Sequence, residues 1–282
     1  MSILSDYFAD IAAAIKSKDS SIVSLAPSEM AGTISSMELS PEPQWTSVSL
    51  SGTKFMSIAY GGGKFVAVGF GAVTAYSTDG VNWITSTMPS GANWYSVTYG
   101  AGKFVAIAAN STAAAYSIDG VNWSSSTLPN TDTWYSVTYG DGKFVAIAYA
   151  SARVALSLDG VTWFISAYLS SAYNWCSSTY GLNMFVAVAT GKSGSAVYST
   201  NGSNWTAITL PGTYWRSVTY GAGKFIAVSD NGYAAYSTDG VNWIKTTLPS
   251  GSLNSITYGM GKFVAVGLNT STIALLDVTP DL

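Results

Sequence analysis

The chain has 282 residues, 48% of them hydrophobic and only 10% charged, with 28 glycines and a formal net charge of −3. This aromatic-rich, glycine-rich composition suits many short strands joined by tight turns and excludes a disordered or wholly helical chain. Histidine is absent and Cys176 is the single cysteine, so an intramolecular disulfide and the usual Cys/His zinc sites are excluded, and isolated lysines in an acidic chain argue against a nucleic-acid partner.

In chain order, residues 1–40 read as a helical leader. Leu4, Tyr7, Phe8, Ile11 and Ile15 fall on one helical face, and Pro27 suits the first turn of a second helix. Asp6 and Asp10 stand where a signal peptide would be basic, and no run approaches the roughly 18 apolar residues of a spanning helix, so neither a signal peptide nor membrane insertion is expected. Residues 41–44, with Pro41 and Pro43, read as a linker, and residues 45–282 form the main domain.

That domain repeats. Tyr-Gly-x-Gly-Lys-Phe occurs at Tyr60–Phe65, Tyr99–Phe104, Tyr139–Phe144, Tyr220–Phe225 and Tyr258–Phe263, with a diverged copy at Tyr180–Phe185. The six phenylalanines are spaced by 39, 40, 41, 40 and 38 residues, a period that fits four short strands and their turns. Within one unit, Trp94–Tyr99 alternates and ends at a glycine turn, Lys103–Ala108 is an apolar strand, Ala114–Ser117 leads to the hairpin signal Asp119-Gly120, and Val121–Thr127 stops near Pro129. The expected fold is all-β: a six-bladed β-propeller of four-stranded antiparallel blades. The sixth repeat ends before its fourth strand, and Trp45–Leu50 has the spacing of a fourth strand lacking its first three, so it is expected to complete the last blade and close the ring.

Two resemblances follow. Ser77-Thr-Asp-Gly-Val-Asn-Trp83 and its counterparts ending at Trp123, Trp163, Trp205 and Trp243 resemble the Asp-box of sialidase-like (BNR) propellers. The resemblance implies a hairpin between the third and fourth strands, with Asp bonding the turn backbone and Trp packing between blades. Sialidase chemistry would further imply three arginines, a Tyr/Glu nucleophile and an acidic proton donor, but the chain has only Arg153 and Arg216. The leader phrases Ile11-Ala-Ala-Ala-Ile-Lys16 and Leu25-Ala-Pro-Ser-Glu-Met-Ala31 resemble the heads of bacteriophage tail and fibre proteins. That resemblance implies a virion location, attachment to other virion proteins through residues 1–40, and a homotrimer.

In a propeller the turns after strands one and three share one face, those after strands two and four the other. The first set here is monotonous, Gly-x-Gly-Lys and Asp-Gly; the second varies from unit to unit. Divergent loops on a uniform scaffold suit recognition. The candidate ligand-binding residues on the variable face are Phe70, Trp94, Tyr95, Trp134, Tyr135, Tyr149, Arg153, Tyr173, Trp175, Tyr214, Trp215, Arg216 and Tyr233. Flat rings beside hydroxyls and amides are what a sugar needs, although the four recurring tryptophans equally suit packing between blades. The expected function is a phage receptor-binding or host-adhesion protein contacting a cell-surface glycan or protein, without cofactor and without catalysis. A structural tail or capsid protein is the alternative. A glycosidase, which needs two facing acids, has only Asp132 and Asp230 to draw on among the unrepeated loop acids.

Overall fold

The computed structural model describes residues 54–171, 173–191, 194–247, 252–259, 261–267 and 273–277. The expected helical leader, the linker and the closing strand Trp45–Leu50 lie outside the described residues. Every regular element among those described is a β-strand, and every strand pair is antiparallel.

The first sheet runs β1 (Phe55–Gly61), β2 (Lys64–Gly69), β3 (Val73–Ser77), β4 (Ile84–Thr87) in chain order. The next contains six strands: β5 (Asn93–Gly100), β6 (Lys103–Ser117), β7 (Ser124–Gly140), β8 (Lys143–Ala148), β9 (Arg153–Ser157) and β10 (Phe164–Tyr168). Two further four-stranded meanders follow, β11 (Asn174–Gly181) to β14 (Thr206–Thr209) through β12 (Met184–Thr190) and β13 (Ser195–Ser199), then β15 (Trp215–Gly221) to β18 (Ile244–Thr247) through β16 (Lys224–Ser229) and β17 (Tyr233–Ser237). The last sheet has three strands, β19 (Leu253–Gly259), β20 (Lys262–Gly267) and β21 (Ile273–Asp277). The molecule is thus an all-β propeller of small antiparallel sheets.

The expectation of six separate four-stranded blades is corrected: five sheets occur among the described residues. The reason is local. The variable loops expected at 109–112 and 130–133 pair with each other, Ala109 opposite Thr133 and Ser111 opposite Asp132, so β6 and β7 run unbroken from one repeat into the next. Asn110 permits this by taking a left-handed conformation (φ 53°) and accepting a hydrogen bond from Thr133 Oγ1 at 2.7 Å.

The six inner hairpins are alike. In each, Tyr pairs with Phe across a two-residue turn, as in Tyr99↔Phe104 with Ala101 and Gly102 at φ 47° and 74°, the double positive φ of a hairpin turn that follows strand twist. The glycine after each tyrosine is not the turn residue expected. A β-carbon on Gly61, Gly100, Gly140, Gly181 or Gly221 would lie 2.0–2.2 Å from Cγ of Tyr99, Tyr139, Tyr180, Tyr220 or Tyr258. Each glycine is the seat for the next repeat's tyrosine. At the sixth-to-first junction this contact is missing among the described residues: Gly259 would meet nothing within 4 Å, and Tyr60 is 61% exposed.

The Asp-Gly turns are rigid local structures. Asp79 Oδ1 accepts the backbone N–H of Val81 (2.8 Å) and Asn82 (2.7 Å), and Ser77 Oγ accepts the N–H of Gly80 (2.9 Å). The same set recurs at Asp119, Asp159 and Asp239, with Asn201 substituting in the fourth repeat. These bonds to the ionised carboxylate hold it below its ordinary range: Asp159 falls from 3.8 to about 2, and Asp79, Asp119 and Asp239 are lowered further, led by the bonds from Asn82, Asn122 and Asn242. Trp83, Trp205 and Trp243 pack against the phenylalanine of their own repeat, with ring centroids 6.4–6.5 Å apart. Lys103 Nζ donates to the carbonyl of Asp159 at 2.8 Å, tying one repeat's uniform face to the turn of the next.

Candidate functional site

The innermost strands β1, β5, β7, β11, β15 and β19 surround a channel whose cavity measures about 340 Å³. Each of these strands is broken at the same place. Register slips between Phe55 and Ser57, Trp94 and Ser96, Trp134 and Ser136, Trp175 and Ser177, Trp215 and Ser217, and Leu253 and Ser255. The skipped residue is a β-bulge, a device that turns one side chain out of the ladder and aims it elsewhere. The six bulge residues are Met56, Tyr95, Tyr135, Cys176, Arg216 and Asn254, and all six line the channel cavity.

The residue before the bulge is Phe55, half-buried, in the first repeat and Leu253, buried, in the last; the four tryptophans between them are buried, with Trp94, Trp134 and Trp215 0% exposed and Trp175 1% exposed. This corrects their assignment as ligand-binding residues, since a fully buried indole has no face to offer. Three of the N–H groups donate to loop carbonyls, Trp94 Nε1 to Ser90 O at 3.4 Å and Trp134 Nε1 to Asn130 O and Trp175 Nε1 to Ser170 O at 3.0 Å, while Trp215 Nε1 is buried with no partner among the described residues. The residue after the bulge is serine, and its hydroxyl accepts a backbone N–H from the next inner strand: Val97 to Ser57, Val137 to Ser96, Ser178 to Ser136, Val218 to Ser177 and Ile256 to Ser217, at 3.0–3.2 Å. Ser136, Thr138 and Ser178 add a hydroxyl cluster at 2.7–2.8 Å.

Four aromatic rings, two of them on bulges, form an arc. Phe70 lies 5.9 Å from Tyr95, Tyr95 lies 5.1 Å from Tyr135, and Tyr135 lies 5.1 Å from Tyr149. Burial, then the neighbouring Cys176, Tyr95 and Tyr149, raises the Tyr135 phenol above its ordinary value of 10.0, so it stays a neutral donor. Arg216 is held by Asp230, with Nε and Nη2 both reaching Oδ2 at 2.8 and 2.7 Å. Cys176 donates its thiol to Trp215 O at 3.1 Å, and burial pushes its pKa up to about 12.

The remaining candidates are placed elsewhere. Arg153 does not line the channel: its Nη1 contacts Asp132 Oδ2 at 2.7 Å, and Ser151 Oγ bonds the same oxygen. Tyr173 packs edge-on to Trp175 at 6.0 Å and helps line a second cavity of about 280 Å³ with Tyr168, Trp205 and Ile208. Tyr214 adopts φ 56° in a loop, and Tyr233 packs under Lys245, whose Nζ sits 3.9 Å from the ring centre. Sequence reasoning missed Met56 and Asn254, which carry neither ring nor charge; their signal is the position, one residue ahead of the recurring serine.

Main-chain bonds stitch the variable loops together. Phe70 N–H reaches Lys54 O, Gly71 reaches Ala92, Tyr149 reaches Thr133, Trp175 reaches Tyr149, Tyr214 reaches Gly191 and Asp230 reaches Tyr214, at 2.8–3.2 Å. With the pairings Asn93↔Ala109, Ala109↔Thr133 and Asn174↔Thr190, these make a belt along the rim from Lys54 to Asp230. Among the described residues no cluster of three His, Cys, Asp or Glu is assembled that could hold a metal, and no helix is long and apolar enough to cross a membrane.

No protein-family model matches the sequence, and no curated protein matches it. Solved structures do. A catalytically inactive virginiamycin B lyase from Staphylococcus aureus with quinupristin is 14% identical, with a TM-score of 0.70 over 83% of this chain and 88% of the lyase. YCF48 bound to a D1 peptide is 17% identical, with a TM-score of 0.62 over 84% of this chain and 81% of that one. The computationally designed Ika8 protein is 10% identical, with a TM-score of 0.62 over 79% and 71%. One of these is an enzyme, another is seen holding a peptide, and identities this low carry architecture and not activity. In fold, the chain is a β-propeller of the kind seen in virginiamycin B lyase and YCF48.

Proposed function

We propose that the chain is a receptor-binding or host-adhesion protein of a bacteriophage virion, engaging a cell-surface glycan or protein through its variable face. One observation carries the reading: the bulge residue lining the channel changes along the ring while a serine follows it in every repeat, and Phe70 and Tyr149 extend the bulge rings of Tyr95 and Tyr135 into an aromatic arc. A repeating scaffold that varies at one inward-facing ring and in the loops of one face suits specific recognition. The unrepeated acids Asp132 and Asp230 are each held by an arginine, an arrangement that favours binding over glycoside hydrolysis.

Within the same reading, residues 1–40 attach the chain to other virion proteins as a homotrimer, the Ser-x-Asp-Gly turns are Asp-boxes of the sialidase-like type, and Trp45–Leu50 supplies the strand that the three-stranded sheet β19–β21 lacks. The test is binding of the full chain to a glycan array and to intact host envelopes. Binding that falls in Tyr135→Ala and Tyr149→Ala is the expected result. Absence of any binding to envelopes would instead favour a structural tail or capsid component.

A further inference from the structure

We propose that the cavity between the third and fourth repeats binds a small uncharged aromatic molecule of the size of indole. It shares no residue with the channel wall, so the inference does not rest on the function above. The cavity sits where the third repeat departs from its neighbours. In the first, second, fourth and fifth repeats the last pair of the outer hairpin closes on a threonine: Thr87 opposite Val73, Thr127 opposite Ala113, Thr209 opposite Ser195 and Thr247 opposite Tyr233. In the third the same place holds Tyr168, opposite Arg153 and 70% exposed. Register slips just before it, between Ile165 and Ala167, a bulge that β4, β14 and β18 lack, and the bulged Ser166 donates to Gly202 O of the fourth repeat at 3.1 Å. Such a bulge re-aims the strand that follows it. Directly after, Leu169-Ser170 stands where the other four read Met88-Pro89, Leu128-Pro129, Leu210-Pro211 and Leu248-Pro249, so the loop escapes the fixed φ of proline.

Tyr168, Leu169 and Tyr173 line the cavity from the chain leaving the third repeat, and Val197, Trp205 and Ile208 line it from the fourth. Its rings are held from behind. Tyr173 stands edge-on to the buried Trp175, at 6.0 Å and 82°, and Trp205 packs on Phe185 while donating Nε1–H to Gly202 O at 3.2 Å. A site whose rings are already fixed gives up little side-chain freedom on binding. Three rings beside three aliphatic side chains suit the edges and faces of an aromatic guest. None of the described lining residues carries a charge or an amide, the groups that hold ions and sugar hydroxyls, so an uncharged ring fits this wall better than a sugar does. The cavity measures about 280 Å³. That exceeds the roughly 150 Å³ that holds a benzene ring and stops short of the roughly 300 Å³ at which drug-sized sites begin.

The experiment is calorimetry and NMR on the full chain titrated with indole. Saturable binding at about 1 mM or tighter is expected, with the Trp205 Nε1–H and Ile208 methyl resonances moving along the titration. Tyr168→Thr, which installs the residue that the first, second, fourth and fifth repeats carry there, is expected to weaken binding about three- to tenfold. Ile208→Trp, which fills the cavity, is expected to abolish it, and circular dichroism checks that both variants fold. Glucose is expected to leave the Trp205 and Ile208 resonances unmoved. Absence of saturable binding by the wild type overturns the proposal, as does binding that moves only other resonances or that both variants keep. Glucose moving Trp205 and Ile208 in place of indole makes the cavity a sugar site and also overturns it. The adhesion reading, tested on envelopes, stands or falls separately.

Discussion

The ring of Tyr139 rests on Gly100 so closely that a β-carbon on the glycine would lie 2.0 Å from Cγ. No rotamer adjustment absorbs such an overlap, because the contact is with the root of the ring and not its tip. Gly100→Ala is therefore expected to cost about 3 kcal/mol or more in urea denaturation, by forcing two repeats apart. Gly259→Ala, at the equivalent place in the sixth repeat but with nothing within 4 Å, is expected to cost less than about 1 kcal/mol. Equal damage from both would mean that Tyr60 packs on Gly259 in solution.

Asp159 ties its turn through N–H bonds from Val161 and Thr162. Its removal in Asp159→Ala should lower stability by about 1 kcal/mol, comparable to losing a helix cap, and so reduce Tm by a few degrees. The pH dependence has a definite sign. A carboxyl lowered on folding from 3.8 to about 2 contributes fully above pH 3.8, and that contribution is lost as pH falls toward 2. Thermal unfolding followed between pH 5 and pH 2 should show the wild type losing its advantage over Asp159→Ala across that window.

Trp134 and Tyr135 are consecutive residues with opposite duties. Trp134 is fully buried, and Trp134→Ala should cost about 3–5 kcal/mol by opening a cavity between repeats. Tyr135→Ala, on the bulge and partly exposed to the channel, should cost much less in stability while removing most of the ligand affinity. Denaturation midpoints and binding isotherms for the two variants should rank in opposite orders.

The thiol of Cys176, pushed up to about 12 by burial, is thiolate in about one molecule in ten thousand at pH 8. Ellman's reagent should leave the folded chain unmodified for hours and titrate one thiol at once in denaturant. Rapid labelling of the native protein would show that the channel wall at β11 opens readily.

The period of about forty residues, the inner hairpins and the Asp-Gly turns were all legible in the sequence, because each depends on residues close along the chain. What could not be read depends on partners from other strands. The loops around Asn110 and Asp132 look like independent connections until their amides are seen to pair. The glycine of Tyr-Gly looks like a turn residue, yet it is conserved within the repeats by the volume of a tyrosine one repeat away. The pairing of Arg153 with Asp132 and of Arg216 with Asp230, across 21 and 14 residues of chain, has no local signal. The site was half visible: Tyr95, Tyr135 and Arg216 were found by type, and Met56 and Asn254 are found only once the bulge gives the position a meaning.

Much of the rim is laced by amide and carbonyl groups of the main chain. Such lacing is indifferent to which side chain each residue carries, so long as the chain path is kept. Phe70, Tyr149 or Asp230 could therefore be exchanged for other residues in few steps, changing the chemistry of the rim without first rebuilding the sheets that carry them.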